Sequence, residues 1–413
     1  MTTTNLFIAS NAVTLLTAHM IIQEKHQGEN NTLMLIANAL DKQFLNTMSY
    51  MANALKSFNK IVLFNNYCTK QVITTKALNE HEDIYDFEKL ENELQINGVD
   101  NIYVSFLYYQ TRTIIDHYTN ANVYGLDNGT GSYEPQMVAQ ELLTRFNGVY
   151  TFNYFDKIFP QEALKENPIQ NIQINKEKFK DILQLFANDI NVQEDKNAVI
   201  LCAQNISLSH KVISTQDEYD IYIDTAFKII KAGYNVYFKE HPKTPMYFQQ
   251  KIREINHPNF KLLCGTTPIE MLVPKIKPVA IVGIFTTSLL LVPHLFNIPA
   301  YVISNKNNFA NTPAYKYAYA LIKSYLPDVK ELYNNNLTTD ITDIHSQYQP
   351  LTNLLHISLT NENMSEDVFI KTKEYIQTKE FSEFEYFNIP EKLFNIFKNS
   401  DYSEFQKYLK AKI

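Results

Sequence analysis

"AIVGIFTTSLLL", residues 280–291, holds a short apolar run that reaches Gly283 and then three hydroxyls, Thr286, Thr287 and Ser288, that open an apolar helical pattern. A strand that hands over to a helix through small residues is the building unit of a parallel sheet with crossover helices. The unit recurs on both sides. Strand-like runs at 198–203, 235–239, 260–264, 279–283 and 300–304 alternate with helical spacing at 217–232, 246–255 and 286–296. Pro293 is expected to kink or divide the last of these helices. The first 150 residues repeat the alternation, with strand-like runs at 5–10, 32–36, 60–64, 101–106 and 121–126 and helical patterns at 12–27 and 137–146.

Between the two halves, residues 156–195 are rich in Lys, Asn, Gln and Glu and include Pro160 and Pro168, the composition of an interdomain connection with one helix at 176–188. From about 312 onward the chain reads as mostly helical. The expected organisation is an α/β chain with two Rossmann-like parallel-sheet domains. These are an N-terminal domain (1–155), a linker (156–195), a C-terminal domain (196–345) and a helical tail (346–413). Two such domains in succession place a cleft between them, and ligands bind beyond the carboxyl ends of the strands. The residues immediately after each strand are therefore where chemistry is expected.

Bulk properties agree with this. A length of 413 residues suits two domains with additions, and 45% hydrophobic content is enough for large cores. No run of 18 apolar residues occurs, so no membrane-spanning helix is expected. The start, MTTTNLFIAS, lacks a cationic leader pattern and reads as a first strand. Three scattered cysteines, Cys68, Cys202 and Cys264, form neither a disulfide framework nor a zinc spacing, which fits a reducing cytoplasm. The formal charge of −7 argues against a broad nucleic-acid surface.

Three strand ends carry reactive groups. In "YGLDNGTGSY", 124–133, Asp127 follows a strand, with Gly129 and Gly131 allowing backbone and substrate to approach closely. Asp is also a common turn and cap residue. On that reading Asn would serve equally well, so Asp127→Asn is expected to leave stability unchanged. In "YNVYFKEHPKTP", 234–245, a strand runs straight into Lys239-Glu240-His241-Pro242. His241 can be charged near neutral pH and can donate to a developing anion. A second His-Pro, His257-Pro258, follows a helix instead and serves as an internal control. The third end is 286–288, where hydroxyls and backbone N–H groups at a helix start suit a phosphate, and equally suit an N-cap. No Walker A loop, G-x-G-x-x-G, Asp-x-Asp or G-x-S-x-G is present.

In this order the three elements resemble those of bacterial GT-B sialyltransferases, with their acidic motif (here Asp127-Asn128-Gly129), His-Pro motif (His241-Pro242) and paired hydroxyls (Thr286-Thr287-Ser288). "FKEHP" is similar to the Lys-x-His-Pro form, and Glu270 in "TTPIEML" lies where such enzymes often carry a ribose-binding acid. The nearest groups are glycosyltransferase family 52, of lipooligosaccharide α-2,3-sialyltransferases, and family 38, of capsule polysialyltransferases. The hydroxyl pair is Thr-rich, which leaves Thr286/Thr287 and Thr287/Ser288 open as the functional pair.

The resemblance implies a GT-B fold whose two domains face a central cleft, and inverting transfer from CMP-sialic acid to a hydroxyl of a cell-surface glycan. A terminal galactose (α-2,3) of lipooligosaccharide or capsule is the first choice. Asp127 would be the general base and His241 the group that balances the departing phosphate. Thr286, Thr287 and Ser288 would hold that phosphate, Glu270 the ribose, and backbone near Lys239 and Pro242 the cytidine. No cofactor and no metal enter this scheme. The alternatives are an α-2,8-polysialyltransferase, a GT-B transferase using another nucleotide, and a non-catalytic sugar-binding protein. A cytoplasmic location is expected. A homodimer is left open, as is peripheral attachment to the inner membrane through the Lys- and Phe-rich end, 391–413.

Overall fold

The computed structural model describes residues 2–36, 42–67, 86–105, 109–127, 129, 145–152, 170–188, 190–204, 206–207, 213–242, 244, 246–263, 265–303, 322, 326–334, 354, 357, 364–377 and 390–411. The chain divides into two compact units, Met1–Val192 with Thr266–Lys275, and Gln193–Gly265 with Ile276–Ile413.

The first unit is built on a seven-stranded sheet. Its strands are β1 (Thr4–Ala9), β2 (Asn30–Leu35), β3 (Lys60–Leu63), β4 (Asn101–Ser105), β5 (Asn122–Leu126), β6 (Phe146–Thr151) and β7 (Gln170–Gln173). All pairings are parallel, in the order β3-β2-β1-β4-β5-β6-β7. The described helices of this region are α1 (Ala12–Lys25), α2 (Lys42–Leu55), α3 (Phe87–Leu94), α4 (Tyr109–His117) and α5 (Lys176–Ala187). In α1 nearly every residue from Ala12 to Ile22 is buried, because it packs on β1 and β5 and against α2 and α5. A helix covered on several sides needs no polar face.

One row of side chains crosses this sheet. Asn5 is in register with Asn31 and Asn101, and Asn101 with Asn122. Asn5 Nδ2 donates to Asn31 Oδ1 (2.9 Å), Asn101 Nδ2 to Asn5 Oδ1 (2.8 Å) and Asn122 Nδ2 to Asn101 Oδ1 (3.1 Å). Two residues further along the strands, Phe7 stacks on Tyr103 (centroids 4.5 Å apart) and Tyr103 on Tyr124 (5.0 Å). The Tyr103 hydroxyl meets His26 Nε2 at 2.6 Å, and His26 Nδ1 meets Glu29 at the same distance.

β6 and β7 go beyond the sequence reading. The helical pattern expected at 137–146 falls outside the described residues up to 144, and Phe146 begins a strand instead. β7 lies within the stretch read as a connection. It is an edge strand, QNIQ, exposed along most of its length, so it carries no apolar run that would mark it. α5, in the same stretch, packs on α1 within the first unit, with Lys178 Nζ 2.8 Å from Glu24 Oε1.

The second unit carries a five-stranded parallel sheet, β8 (Ala198–Cys202), β9 (Asn235–Lys239), β10 (Phe260–Leu263), β11 (Ala280–Gly283) and β12 (Ala300–Val302), ordered β10-β9-β8-β11-β12. The helices that follow α5 are α6 (Thr215–Lys231), α7 (Met246–Arg253), α8 (Ile269–Ile276), α9 (Ser288–Phe296), α10 (Val329–Tyr333), α11 (Glu366–Gln377), α12 (Glu391–Asn399) and α13 (Tyr402–Lys410). α9 runs unbroken through Pro293. Pro293 forfeits one backbone bond, but burial of Leu289 to Pro293 and of Leu295 holds the helix together. Cys202 is buried and in no disulfide; Cys68 and Cys264 lie outside the described residues.

The tail helices form a small core of their own. Phe369, Ile376, Leu393, Phe394, Phe397, Phe405, Tyr408 and Leu409 are buried together. Six of the apolar residues in the Lys- and Phe-rich end, Leu393, Phe394, Phe397, Phe405, Tyr408 and Leu409, belong to this core. Among the described residues no helix is long and apolar enough to cross a membrane.

The asparagine row predicts a specific energetic asymmetry. Asn101→Ala strands the oxygen of Asn5, a residue buried to 0% exposure, and should cost about 1–3 kcal/mol. Asn122→Ala removes only the exposed end of the row and should stay within about 0.5 kcal/mol. Urea denaturation of the two variants measures the difference; equal losses would mean that the row does not act as a unit.

Candidate active site

In the first unit, β5 delivers Asp127 to the carboxyl edge of the sheet, and the residue is buried to 0% exposure. Its N–H donates to Tyr150 O (2.9 Å). Oδ1 accepts from the Gly129 N–H at 2.7 Å, and Gly129 has φ +80°, a backbone region that favours glycine. Oδ2 accepts from the Phe152 N–H (3.1 Å) and from the Thr151 hydroxyl (3.3 Å), both beyond β6 or at its end. The carboxylate therefore fastens its own turn and the neighbouring strand end. Asn128 and Gly131 lie outside the described residues.

In the second unit, two of the predicted clusters lie on one sheet edge. β9 ends at Lys239 and β11 at Gly283, and the two strands flank β8. His241 and Pro242 are half-buried, and the His241 carbonyl accepts from Thr244 N–H (2.9 Å), closing the turn. Lys239 is buried, and its ammonium donates to Glu240 O (2.8 Å) and Gly265 O (2.7 Å). Its side chain thus ties the β9 end to the loop beyond β10. The control pair His257-Pro258 sits at the opposite edge, just before β10, where Phe260 N donates to His257 O (3.0 Å).

Beyond β11, Thr287 is the N-cap of α9, yet its side chain makes no capping bond to the helix. Ser288 is buried in the first turn, and Thr286 and Thr287 are half-buried. Gly283 permits this arrangement, since a Cβ there would lie 3.2 Å from Thr286 Cγ2 and 3.5 Å from Cys202. The adjoining loop after β8 is organised internally. The buried Glu218 carboxylate accepts from Ile206 N–H (3.0 Å) and Ser207 N–H (2.9 Å), and Gln204 Oε1 accepts from Phe285 N–H (2.9 Å). The Ile206 and Ser207 N–H groups are thus occupied by Glu218.

Glu270 is buried in the first turn of α8, in the segment grouped with the first unit rather than with the His241 and Thr286 edge. A residue not singled out by sequence reasoning is Glu240. It is buried, Oε1 has no hydrogen-bond partner among the described residues, and Thr244 Oγ1 shares that condition. Burial pushes the Glu240 carboxyl up from its ordinary range, against the pull of Arg253 and Lys239. An acid wedged between Lys239 and His241 at a strand end was the available signal. Among the described residues no cluster of three or more His, Cys, Asp or Glu side chains is arranged to hold a metal.

A model of the alpha-2,8-polysialyltransferase (POLYST) family matches residues 5–305. The chain belongs to the alpha-2,8-polysialyltransferase family. The match spans both sheets and all three strand ends described above. It makes the chain a glycosyltransferase of sialyltransferase type, which pairs a nucleotide-sugar donor with a glycan acceptor. Solved structures of the same two-domain GT-B fold include a UDP-GlcNAc 2-epimerase from Neisseria meningitidis bound to UDP-GlcNAc. It is 12% identical, with 86% of this chain and 92% of that chain covered and a TM-score of 0.51. A second is UDP-GlcNAc 2-epimerase from Methanocaldococcus jannaschii in complex with UDP-GlcNAc and UDP, 10% identical, covering 74% of this chain and 84% of that chain, TM-score 0.51. At these identities the likeness concerns the fold alone. No curated protein matches the sequence.

The expectation that Asn fits position 127 without cost fails on the second oxygen. Asn keeps one acceptor, so its amide NH₂ must face either Gly129 N–H or the Phe152 N–H and Thr151 pair, leaving a buried donor unmet. Asp127→Asn should therefore lower stability by about 1–3 kcal/mol in urea titration. A stability equal to wild type would mean that the carboxylate bonds described here are not formed in solution.

Proposed function

We propose that this member of the family transfers sialic acid from CMP-sialic acid to a sugar hydroxyl with inversion. The observation that carries the reading is the placement of His241 and the 286–288 helix start on one edge of the five-stranded sheet, with the family match spanning both. The acceptor oxygen forms a bond to the anomeric carbon while the bond from that carbon to the phosphate oxygen breaks. The acceptor proton passes to Asp127. Its Oδ2 is the better receiving atom, because the Thr151 bond to it, at 3.3 Å, is the longest of the set and the easiest to exchange. CMP leaves with the electron pair, and the extra phosphate charge is balanced by His241 and by the N-terminal end of α9. Thr286, Thr287 and Ser288 hold the phosphate, Pro242 and the backbone of Lys239 line the base, and Glu270 accepts from ribose hydroxyls.

This reaction needs no metal, since the leaving group is good and its charge is met by protein groups. On the acceptor side, terminal galactose in α-2,3 linkage is the first reading from the motifs. The family description favours a second, a sialic acid acceptor in α-2,8 linkage. Work in the cytoplasm, on a glycan later carried to the cell surface, fits both.

Assays with CMP-sialic acid, UDP-sugars and GDP-sugars, each with a lactoside and with an α-2,8-linked sialic acid oligomer, decide among these readings. Turnover is expected with CMP-sialic acid only, and full activity should persist in EDTA. His241→Ala should lower kcat by at least about 10²-fold. His257→Ala should be indistinguishable from wild type. Transfer from a UDP- or GDP-sugar, or loss of activity in EDTA that Mn²⁺ restores, would refute the scheme.

A further inference from the structure

The carboxyl edge of the first sheet carries a row of polar groups at its own topological switch point. The order β3-β2-β1-β4-β5-β6-β7 reverses direction between β1 and β4, the place where open parallel sheets bind ligands. Ser10 directly follows β1, and Ser105 is the last residue of β4. Their hydroxyl oxygens lie 3.2 Å apart. Ser105 is in register with Leu126 on β5, so the next residue along that strand is Asp127. Three neighbouring strand ends thus present hydroxyl, hydroxyl and carboxylate in a row.

The backbone beside Ser10 is already satisfied. Asn11 caps α1, accepting from Thr14 N–H at 2.9 Å, while Thr14 Oγ1 accepts from the N–H groups of Ser10 (3.2 Å) and Asn11 (3.3 Å). A helix start closed by a capping box offers its N–H groups poorly to an anion. The group left to meet a ligand there is the Ser10 hydroxyl, on a half-buried residue, whereas Ser105 is buried to 1% exposure. This edge would meet a ligand through side-chain hydroxyls rather than through helix N–H groups.

We propose that Ser10 is a specificity-determining residue of the acceptor site, exchanging a hydrogen bond with a hydroxyl of the acceptor sugar, and that Ser105 is a positioning residue that sets the orientation of the Ser10 hydroxyl. The proposal rests on the sialyl-transfer reading given above. Bridging between strand ends keeps Ser10 at a fixed height relative to Asp127, so the sugar ring it holds is presented to the base in one pose.

The test is steady-state kinetics with saturating CMP-sialic acid and a varied acceptor, a lactoside or an α-2,8-linked sialic acid oligomer. It is paired with calorimetric binding of the same acceptors to the full chain. Ser10→Ala should raise acceptor KM and Kd roughly 3–10-fold, the worth of one neutral hydrogen bond. Its kcat should stay within about twofold of wild type. Ser10→Thr keeps the hydroxyl and should restore acceptor affinity. Ser105→Ala should shift acceptor KM in the same direction by a smaller factor, again with kcat retained. Unchanged acceptor affinity in Ser10→Ala overturns the proposal, and so does a Thr variant as impaired as the Ala variant. If wild type fails to turn over CMP-sialic acid, the donor reading fails instead, and the calorimetric arm still decides the role of Ser10.

Discussion

The row of amide hydrogen bonds from Asn31 through Asn5 and Asn101 to Asn122 ties four neighbouring strands of the first unit, β2, β1, β4 and β5, in one register. Buried faces already resist a slip of register, and a row of directional amide bonds across neighbouring strands adds to that resistance. The ladder that aligns Asn101 with Asn122 also aligns Ser105 with Leu126. A slip of one residue would turn the stacked face of Phe7, Tyr103 and Tyr124 outward and move Asp127 off the edge. The polar row therefore lies at the amino end of the sheet while its consequence appears at the carboxyl end, five residues away along β5. Buried polar groups that are fully satisfied specify a unique arrangement in this way.

The two sheets use the same topology for opposite chemistry. In the first, the helix after the switch-point strand is closed by Asn11 and Thr14, so the edge presents side-chain hydroxyls and a carboxylate. In the second, the loop after β8 is filled by Glu218, and the helix after β11 begins at Thr287 without a side-chain cap. One edge thus offers side-chain hydroxyls and a carboxylate, the other a helix start without a side-chain cap.

How much of this the sequence disclosed follows from where each element lies. Buried strands such as β8, AVILC, announce themselves because both faces are covered and every position is apolar. β7 does not, because an exposed edge strand has no such pattern. Gly148 in β6 looks like a turn residue, yet a Cβ there would come within 3.1 Å of Ile172 and 3.2 Å of Gln170 O, so the glycine serves close strand packing. The strand-end motifs were legible because a parallel sheet gathers its carboxyl ends on one edge. The protein partners of Asp127 were not. Phe152 and Thr151 are about 25 residues away along the chain, and no local pattern reports a bond formed only when β6 pairs with β5.

Glu240 shows how such an edge tolerates an acid beside the proposed phosphate partner His241. Lys239 would be its natural counter-ion, but the ammonium is bound to two backbone carbonyls, which hold the β9 and β10 ends together. The carboxyl is left buried with one oxygen unmatched among the described residues, and burial raises its pKa against the attraction of Arg253 and Lys239. The direction of that shift matters for the neighbouring histidine. A fully ionised carboxylate there would add negative charge next to His241, the group proposed to balance the departing phosphate, and would oppose anion binding through a medium of low dielectric. Desolvation works the other way, because it favours the neutral carboxyl form and so reduces the repulsion. The cost is an unsatisfied buried oxygen, a local instability of the kind that folded proteins retain at functional sites more often than elsewhere.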